Sequence, residues 1–431
     1  MANQMLTIGD IAEIFDGPHA TPKKIENGPY FLSISSLEDG RLDLSKSAHV
    51  SEEQFVKWTK RVTPQKGDLL FSYETRLGEA ALMPEGVRAC LGRRMGLLRP
   101  KLDKVIPEYL LYAYISPFFQ QVIKANTIVG ATVDRIALSE MKDFPIRIPN
   151  LSEQKAACLL LSTIDKKIEL NNRINSELEA MAKTLYDYWF VQFDFPDANG
   201  KPYKASGGKM VYNDTLKRKI PEGWEVRPFS EHLTCNAKKL GKKHEYSEIQ
   251  YLDTANLTKN VVDTLQPLVV SVDKIPSRAN MIVSKNDILY STVRPNQLHY
   301  GIITQPVENM VASTGYSVLS HKSDSSINVL FYLHLTNEAN TQRLIKISES
   351  SKSSYPSISP DDILSIDIAL PKDGGAVDKA VGMLNPLFKK ISETQRENKE
   401  LASLRDWLLP MLMNGQVKVK LSTESQEALH G

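Results

Sequence analysis

A chain of 431 residues is longer than one hydrophobic core usually serves, so two or more domains are expected. Its 42% apolar and 24% charged residues are ordinary for a water-soluble globular protein, with no apolar run long enough to span a bilayer. A net charge of +2 confines any nucleic-acid footprint to local patches, and Cys90, Cys158 and Cys235, without a CxxC pair, argue against a disulfide scaffold or zinc ribbon.

From the start, MANQMLTIGD lacks a basic stretch followed by an apolar one, so no signal peptide is expected and a reducing cytoplasm fits the cysteines. Residues 1–150 read as a strand-rich head, with short apolar runs such as DLLFSY and MGLLRP between Gly, Pro, Asn and Asp turns. One helical stretch, IPEYLLYAYISPFFQQVI, interrupts them. A long helix is predicted over 151–191, with Ser152 and Glu153 offering an N-cap and an early acid. Residues 192–221, rich in Gly, Pro, Ser and Lys, read as an exposed connector. A second strand-rich head over 222–373 contains DILYST, YSVLSH and the helical INVLFYLHLTNEANTQRLI. A second long helix over 374–415 closes at Asn414-Gly415, leaving a tail over 416–431.

The second half repeats the first. KGDLLFS at 66–72 returns as KNDILYS at 285–291. YFLSISSL matches QYLDTANL, DRIALSEMKDFPIRIP matches PSISPDDILSIDIALP, and RINSELEAM matches RENKELASL. MLTIGDIAEI aligns with GWEVRPFSEH, pairing Ile8 with Val226 and Ile11 with Phe229. The offsets stay between 218 and 223 throughout, a band that chance matches would not keep. In each long helix, apolar or Asn/Thr positions recur with identical spacing, at 168, 171, 175, 178, 181, 185 and 188 and at 391, 394, 398, 401, 404, 408 and 411. That is a seam for helix pairing. A rod of about 40 residues, roughly 60 Å long, needs a partner, and the nearest is its own duplicate, lying antiparallel. Asn175 and Asn398 fall at equivalent seam positions, where they either fix register or sit at a solvated edge. The expected fold is α+β: two strand-rich heads held apart by a coiled coil of two long antiparallel helices, with pseudo-two-fold internal symmetry.

No catalytic site is legible. HExxH, Gly-x-Gly-x-x-Gly and Gly-x-Ser-x-Gly are absent. GRLDLSKS at 40–47 lacks the second glycine of a phosphate loop, and Pro360-Asp361 with Asp367 lacks the lysine of a nuclease core. The histidines show no metal-ligand spacing, so no metal is expected. Binding signals are present instead. VRACLGRRMGLLRPKL carries Arg88, Arg93, Arg94, Arg99 and Lys101 without an acid, and NAKKLGKKH carries Lys238, Lys239, Lys242 and Lys243. STVRPNQLHY sets Arg294, Asn296, Gln297 and His299 just after the echoed strand. Arginine can read guanine and Asn or Gln adenine, whereas lysines suit phosphates. Two polar, turn-rich loops, VGATVDRI at 129–136 and SSKSSYPSI at 350–358, precede the long helices. The candidate DNA-binding residues are Lys24, Arg76, Arg93, Arg94, Thr132, Arg135, Lys239, Lys243, Arg294, Asn296, Lys352 and Tyr355.

These features resemble the specificity (S) subunit of type I restriction-modification systems. The resemblance covers essentially the whole chain: the GDLLFS/NDILYS strands, the I-x-I-P and I-x-L-P segments before each long helix, IPEGWEV, PMLMNGQVKV and, most specific, DYWFVQFDFPDANGKPYKASGGKMVYN. It implies that each head is a target recognition domain for one half of a split double-stranded DNA sequence, and that the helices are a spacer setting the gap. It further implies a non-catalytic chain with no cofactor of its own. S-adenosylmethionine would be held by two partner modification subunits, and ATP and magnesium by partner restriction subunits. Tyr186, Tyr188, Trp189, Phe190, Trp407, Leu409 and Met413 are then candidate partner-binding residues, unless they close the internal seam. The second helix departs from the family by starting KDGGAVDKA, where the first has Ser152-Glu153-Gln154, so weaker nucleation is expected there. The alternative of another class is a duplicated coiled-coil scaffold for protein ligands without DNA specificity. A chain that methylates or cuts DNA itself is disfavoured.

Overall fold

The computed structural model describes residues 4–18, 20–130, 132–241, 244–350 and 355–419. The chain divides into two compact units. One holds the residues up to Glu169 and those from Lys399 onward, and the other holds Leu170–Asn398.

In the first unit, four strands lie side by side in the order Ala12–Asp16, Met95–Pro100, Leu69–Ser72, Ala80–Leu82, each pair antiparallel. The echoed strand Leu69–Ser72 is buried along its whole length, which explains why it reads as an unbroken apolar run rather than an alternating one. In the second unit the same sheet recurs as Leu233–Cys235, Tyr316–His321, Asp287–Ser291, Tyr300–Ile303. The cores repeat position by position. Leu69, Phe71, Leu98, Tyr109, Ile146 and Leu161 are buried together in one head, and Ile288, Tyr290, Leu319, Leu330, Ile368 and Leu384 in the other.

One stretch repeats in a different register from the one read in the sequence. Ile8 N donates to Phe144 O at 3.0 Å and Phe229 N to Ile366 O at 2.8 Å, so Ile8 corresponds to Phe229, three residues away from Val226. A slide of three is almost one helical turn, and both segments form a one-turn helix, Ile8–Ile11 and Phe229–His232. The apolar pattern therefore survives the shift and cannot reveal it.

The first long helix runs Leu151–Tyr186 and continues as a π-helical turn to Val191; the second runs Gly375–Met413. The first is capped by Asn150, whose Oδ1 accepts from Glu153 N at 3.0 Å, rather than by Ser152. Gln154, fully buried, locks that end to its head: Oε1 accepts from Ile106 N at 2.8 Å, and Nε2 donates to Lys104 O at 2.9 Å and Pro149 O at 2.8 Å. The corresponding Val377 is buried in apolar contact instead, and the second helix starts nonetheless. It ends in a Schellman-type turn, with Gly415 at φ +70° and Gln416 N donating to Met411 O at 2.9 Å.

The helices pair antiparallel within each unit. In the first, Asp165 meets Arg405 at 3.1 Å. In the second, Asn171 Nδ2 donates to Asn398 Oδ1 and Asn398 Nδ2 to Asn172 Oδ1, both at 2.8 Å. The amides that partner Asn398 are thus Asn171 and Asn172, about one turn from Asn175, whose buried Oδ1 has no hydrogen-bond partner among the described residues.

The 192–221 connector is structured. Met210–Asn213 and Arg218–Pro221 form a hairpin, and Phe193 and Ile220 are buried. Trp224 packs against Phe190, Phe193 and Phe195, with ring centroids 5.7, 5.3 and 5.1 Å away. Beside this cluster, Tyr186 Oη lies 2.6 Å from His334 Nδ1, and His334 Nε2 lies 2.9 Å from Asp367 O. Because a carbonyl only accepts, Nε2 carries the proton and Nδ1 accepts from the tyrosine. Burial pushes the imidazole down to about 4, so it stays neutral in the fold while the unfolded chain takes up a proton below about 6.5. The unfolded state binds more protons across that window, so the second unit loses stability as pH falls through it. His334→Gln keeps a donor for Asp367 without the titration. Its melting temperature should fall less than the wild type's between pH 6.5 and 4.5; equal falls would reject the assignment.

Candidate nucleic-acid interface

In each head, the end of the echoed strand is tied to two other loops by the same hydrogen bonds. In the first, Tyr73 N donates to Arg94 O at 3.2 Å, Ile136 N to Tyr73 O at 2.9 Å, and Thr75 N to Asp134 O at 3.1 Å. In the second, Thr292 N donates to Gly315 O at 2.9 Å, Ile358 N to Thr292 O at 2.9 Å, and Arg294 N to Pro356 O at 2.9 Å. Ser72 Oγ caps the turn by donating to Glu74 O at 2.7 Å, as Ser291 Oγ does to Val293 O at 2.9 Å. Thr75 and Arg294 both hold left-handed backbone, at φ +72° and +50°, which a side chain adopts only where its surroundings enforce it. The two polar loops singled out in the sequence are therefore the third arm of a repeated three-loop junction.

This junction gathers Arg76, Arg93, Arg94, Thr132 and Arg135 in the first head and Arg294, Asn296 and Tyr355 in the second. Arg94 is held by Glu74, Nε to Oε2 at 3.0 Å, and its Nη1 donates to Thr75 Oγ1 at 3.2 Å. Arg76 pairs with Glu79 at 3.3 Å. Arg93, Thr132 and Arg135 are exposed. The Arg294 guanidinium lies over the Tyr355 ring, 5.2 Å from its centroid, and Asn296 is exposed. Lys24 and Lys239 are exposed on other loops of their heads, outside this junction. Lys242, Lys243 and Lys352 lie outside the described residues.

The arginine-rich run 87–102 does not form one patch. Arg88 makes a two-pronged pair with Glu52 at 2.8 and 2.7 Å, Arg99 grips Asp68, and Lys101 donates to Gly9 O at 2.8 Å. These cations are therefore not pooled on one surface: each is turned toward an acid or carbonyl distant in sequence. Both motif fragments serve local structure. In GRLDLSKS, Asp43 caps a single 3₁₀ turn and Lys46 pairs with Glu38, while Asp362 completes the capping box of the one-turn helix Pro360–Leu364. Cys90 and Cys158 are buried, which pushes both thiols up to about 12.

Five of the candidate docking residues are corrected by burial. Tyr186, Trp189 and Phe190 sit in the core of the second unit, and Leu409 and Met413 in that of the first. They occupy the face by which each helix end closes onto a head. Tyr188 and Trp407 remain exposed, at 38% and 58%. Around Tyr188, the residues Ala180, Met181, Thr184, Leu185, Met383 and Leu387 line an open apolar groove of about 550 Å³. Met181 and Met383 are 58% and 52% exposed. The equivalents of Met181 and Thr184 in the other helix are Leu404, 44% exposed, and Trp407. Sequence inspection had the repeat needed to find this face, but could not tell which apolar positions a head would cover.

The architecture defines a class: a duplicated module of a strand-rich head and a long helix, with the two helices paired antiparallel. Residues 2–180 match the family model described as the type I restriction modification DNA specificity domain. The chain is 26% identical over 416 residues to the type I restriction enzyme MjaIX specificity subunit of Methanocaldococcus jannaschii, covering 94% of this chain and 88% of that one. It is 21% identical over 413 residues to the HindI specificity subunit of Haemophilus influenzae, covering 82% and 87%. The fold is shared with the type I restriction-modification S subunit of M. genitalium, at a TM-score of 0.58 and 16% identity, over 96% of this chain and 99% of that one. The chain is thus similar, over most of its length, to specificity subunits of type I restriction enzymes. Among the described residues, no helix is long and apolar enough to cross a membrane.

Proposed function

We propose that this chain is a non-catalytic reader of a two-part DNA target, one part per head, and that it directs adenine methylation by two modification subunits. The observation that carries this reading is the repeated three-loop junction, built by the same three backbone bonds in each unit and furnished with exposed polar and basic side chains. A junction that is constant in backbone but variable in side chain suits two heads reading different half-sites. The exposed apolar face recurring at equivalent helix positions suits two copies of one partner. In this reading the chain holds no cofactor; S-adenosylmethionine belongs to the modification subunits, and ATP and magnesium to restriction subunits where these join the complex. The assembly works in the cytoplasm on duplex DNA.

The test is methylation of a random DNA library by this chain co-expressed with a modification subunit of its own system, read by sequencing modified adenines. A two-part motif with a fixed gap is expected. A contiguous motif would mean that one head alone reads, and no motif from an intact complex would overturn the proposal.

A further inference from the structure

The two junctions differ at one pair of positions in a compensating way. Position 75 in the first head corresponds to 294 in the second, and 94 corresponds to 315, as the matched backbone bonds define. The first head has Thr75 and Arg94; the second has Arg294 and Gly315. Each junction therefore carries one guanidinium at this point, supplied from opposite members of the pair. In the first head the group is in contact with the very residue that arginine replaces in the second, since Arg94 Nη1 rests 3.2 Å from Thr75 Oγ1. In the second head a side chain at the other position would require Thr254 to shift. A Cβ on Gly315 would stand 2.7 Å from Thr254 Cγ2.

We infer that Arg94 and Arg294 are functional equivalents, each supplying the guanidinium by which its head contacts duplex DNA. This rests on the DNA-reading function proposed above. A fold-stabilising arginine would have no reason to be re-supplied from a new position once its old partners had changed. Among the described residues Arg294 has no acid in ion-pair contact, whereas Arg94 has Glu74, yet both side chains reach solvent. What the two share is a guanidinium at the left-handed turn after the echoed strand: Arg294 stands in that turn, and Arg94 reaches Thr75 in it from the loop before Met95–Pro100.

The test uses the full chain and a mixed-sequence duplex, with affinity measured across a salt series. Arg94→Gly suits the left-handed backbone at φ +72° and removes the guanidinium, so the fold should persist. It should weaken binding about tenfold and lower the salt slope by about 0.9, as loss of one phosphate contact does. Arg294→Thr should do the same. Thr75→Arg combined with Arg94→Gly transplants the second head's solution into the first and should restore affinity to within about threefold of wild type. Undiminished binding by Arg94→Gly, or a double variant as weak as Arg94→Gly alone, would overturn the assignment while leaving the DNA-reading function standing. Absence of salt-dependent binding by the wild type would overturn both.

Discussion

Arg99→Met should destabilise the first head by roughly 3–5 kcal/mol, because it strands a buried carboxylate. Asp68 is 2% exposed and accepts from Gln65 N at 2.8 Å and from Arg99 Nε and Nη2 at 3.0 and 2.7 Å. The duplication supplies an internal control. Asp287 occupies the same place, is equally buried, and accepts from Ser284 N at 2.7 Å, but Ser320 Oγ at 2.6 Å replaces the arginine. Burial, with no cation in ion-pair contact among the described residues, raises the Asp287 pKa, so its folded form keeps a proton to higher pH than its unfolded form. That contribution to stability is present in acid and lost as pH rises through the folded pKa. Hence Asp287→Asn should be neutral or stabilising at pH 7, whereas Asp68→Asn, which breaks a charge pair, should be destabilising. Amide exchange reads each head separately, by comparing the strand Leu69–Ser72 with Asp287–Ser291 in one sample. Arg99→Met should speed exchange in the first strand and leave the second unchanged. Equal protection of Leu69–Ser72 in wild type and variant would show that the pair contributes nothing.

The same pair shows where sequence reading stops. Asp68 and Asp287 belong to the most legible repeat in the chain, yet Arg99 read as one more basic residue in a DNA-binding run. Its actual partner lies 31 residues away and is met only through pairing of the strands Met95–Pro100 and Leu69–Ser72. What the sequence made plain were features carried by local period: buried strands, long helices, and the order in which both recur. Features made by convergence were only half visible. The loops 129–136 and 350–358 stood out as polar, but that they join the end of the echoed strand follows from the fold. Helix faces were ambiguous for a related reason. Leu408 and Leu409 are equally apolar, and only the position of the head decides that Leu409 is the more deeply buried. The three-residue slip at Ile8 arose because an apolar pattern with helical period is nearly unchanged by a shift of one turn.

Charges placed on the exposed helix faces should separate the two docking events expected of a reader with two modification subunits. Met181→Glu with Met383→Glu alters the groove in the second unit, and Leu404→Glu with Trp407→Glu the equivalent face in the first. All four side chains are between 44% and 58% exposed, so neither pair should unfold the chain. Burying a large apolar side chain at an interface gains about 1.5–3 kcal/mol, and burying an unpaired carboxylate in its place is costlier still. Two such changes should therefore weaken docking by more than about a hundredfold, since each 1.4 kcal/mol is tenfold. Native mass spectrometry of the co-expressed complex gives the count directly. Wild type should carry two modification subunits, each double variant one, and the quadruple variant none, with DNA binding by the isolated chain unaltered. Two subunits retained by the quadruple variant would move the docking surface elsewhere. Loss of both from a single double variant would mean that the faces act as one site, and the correspondence between sequence repeat and partner count would fail.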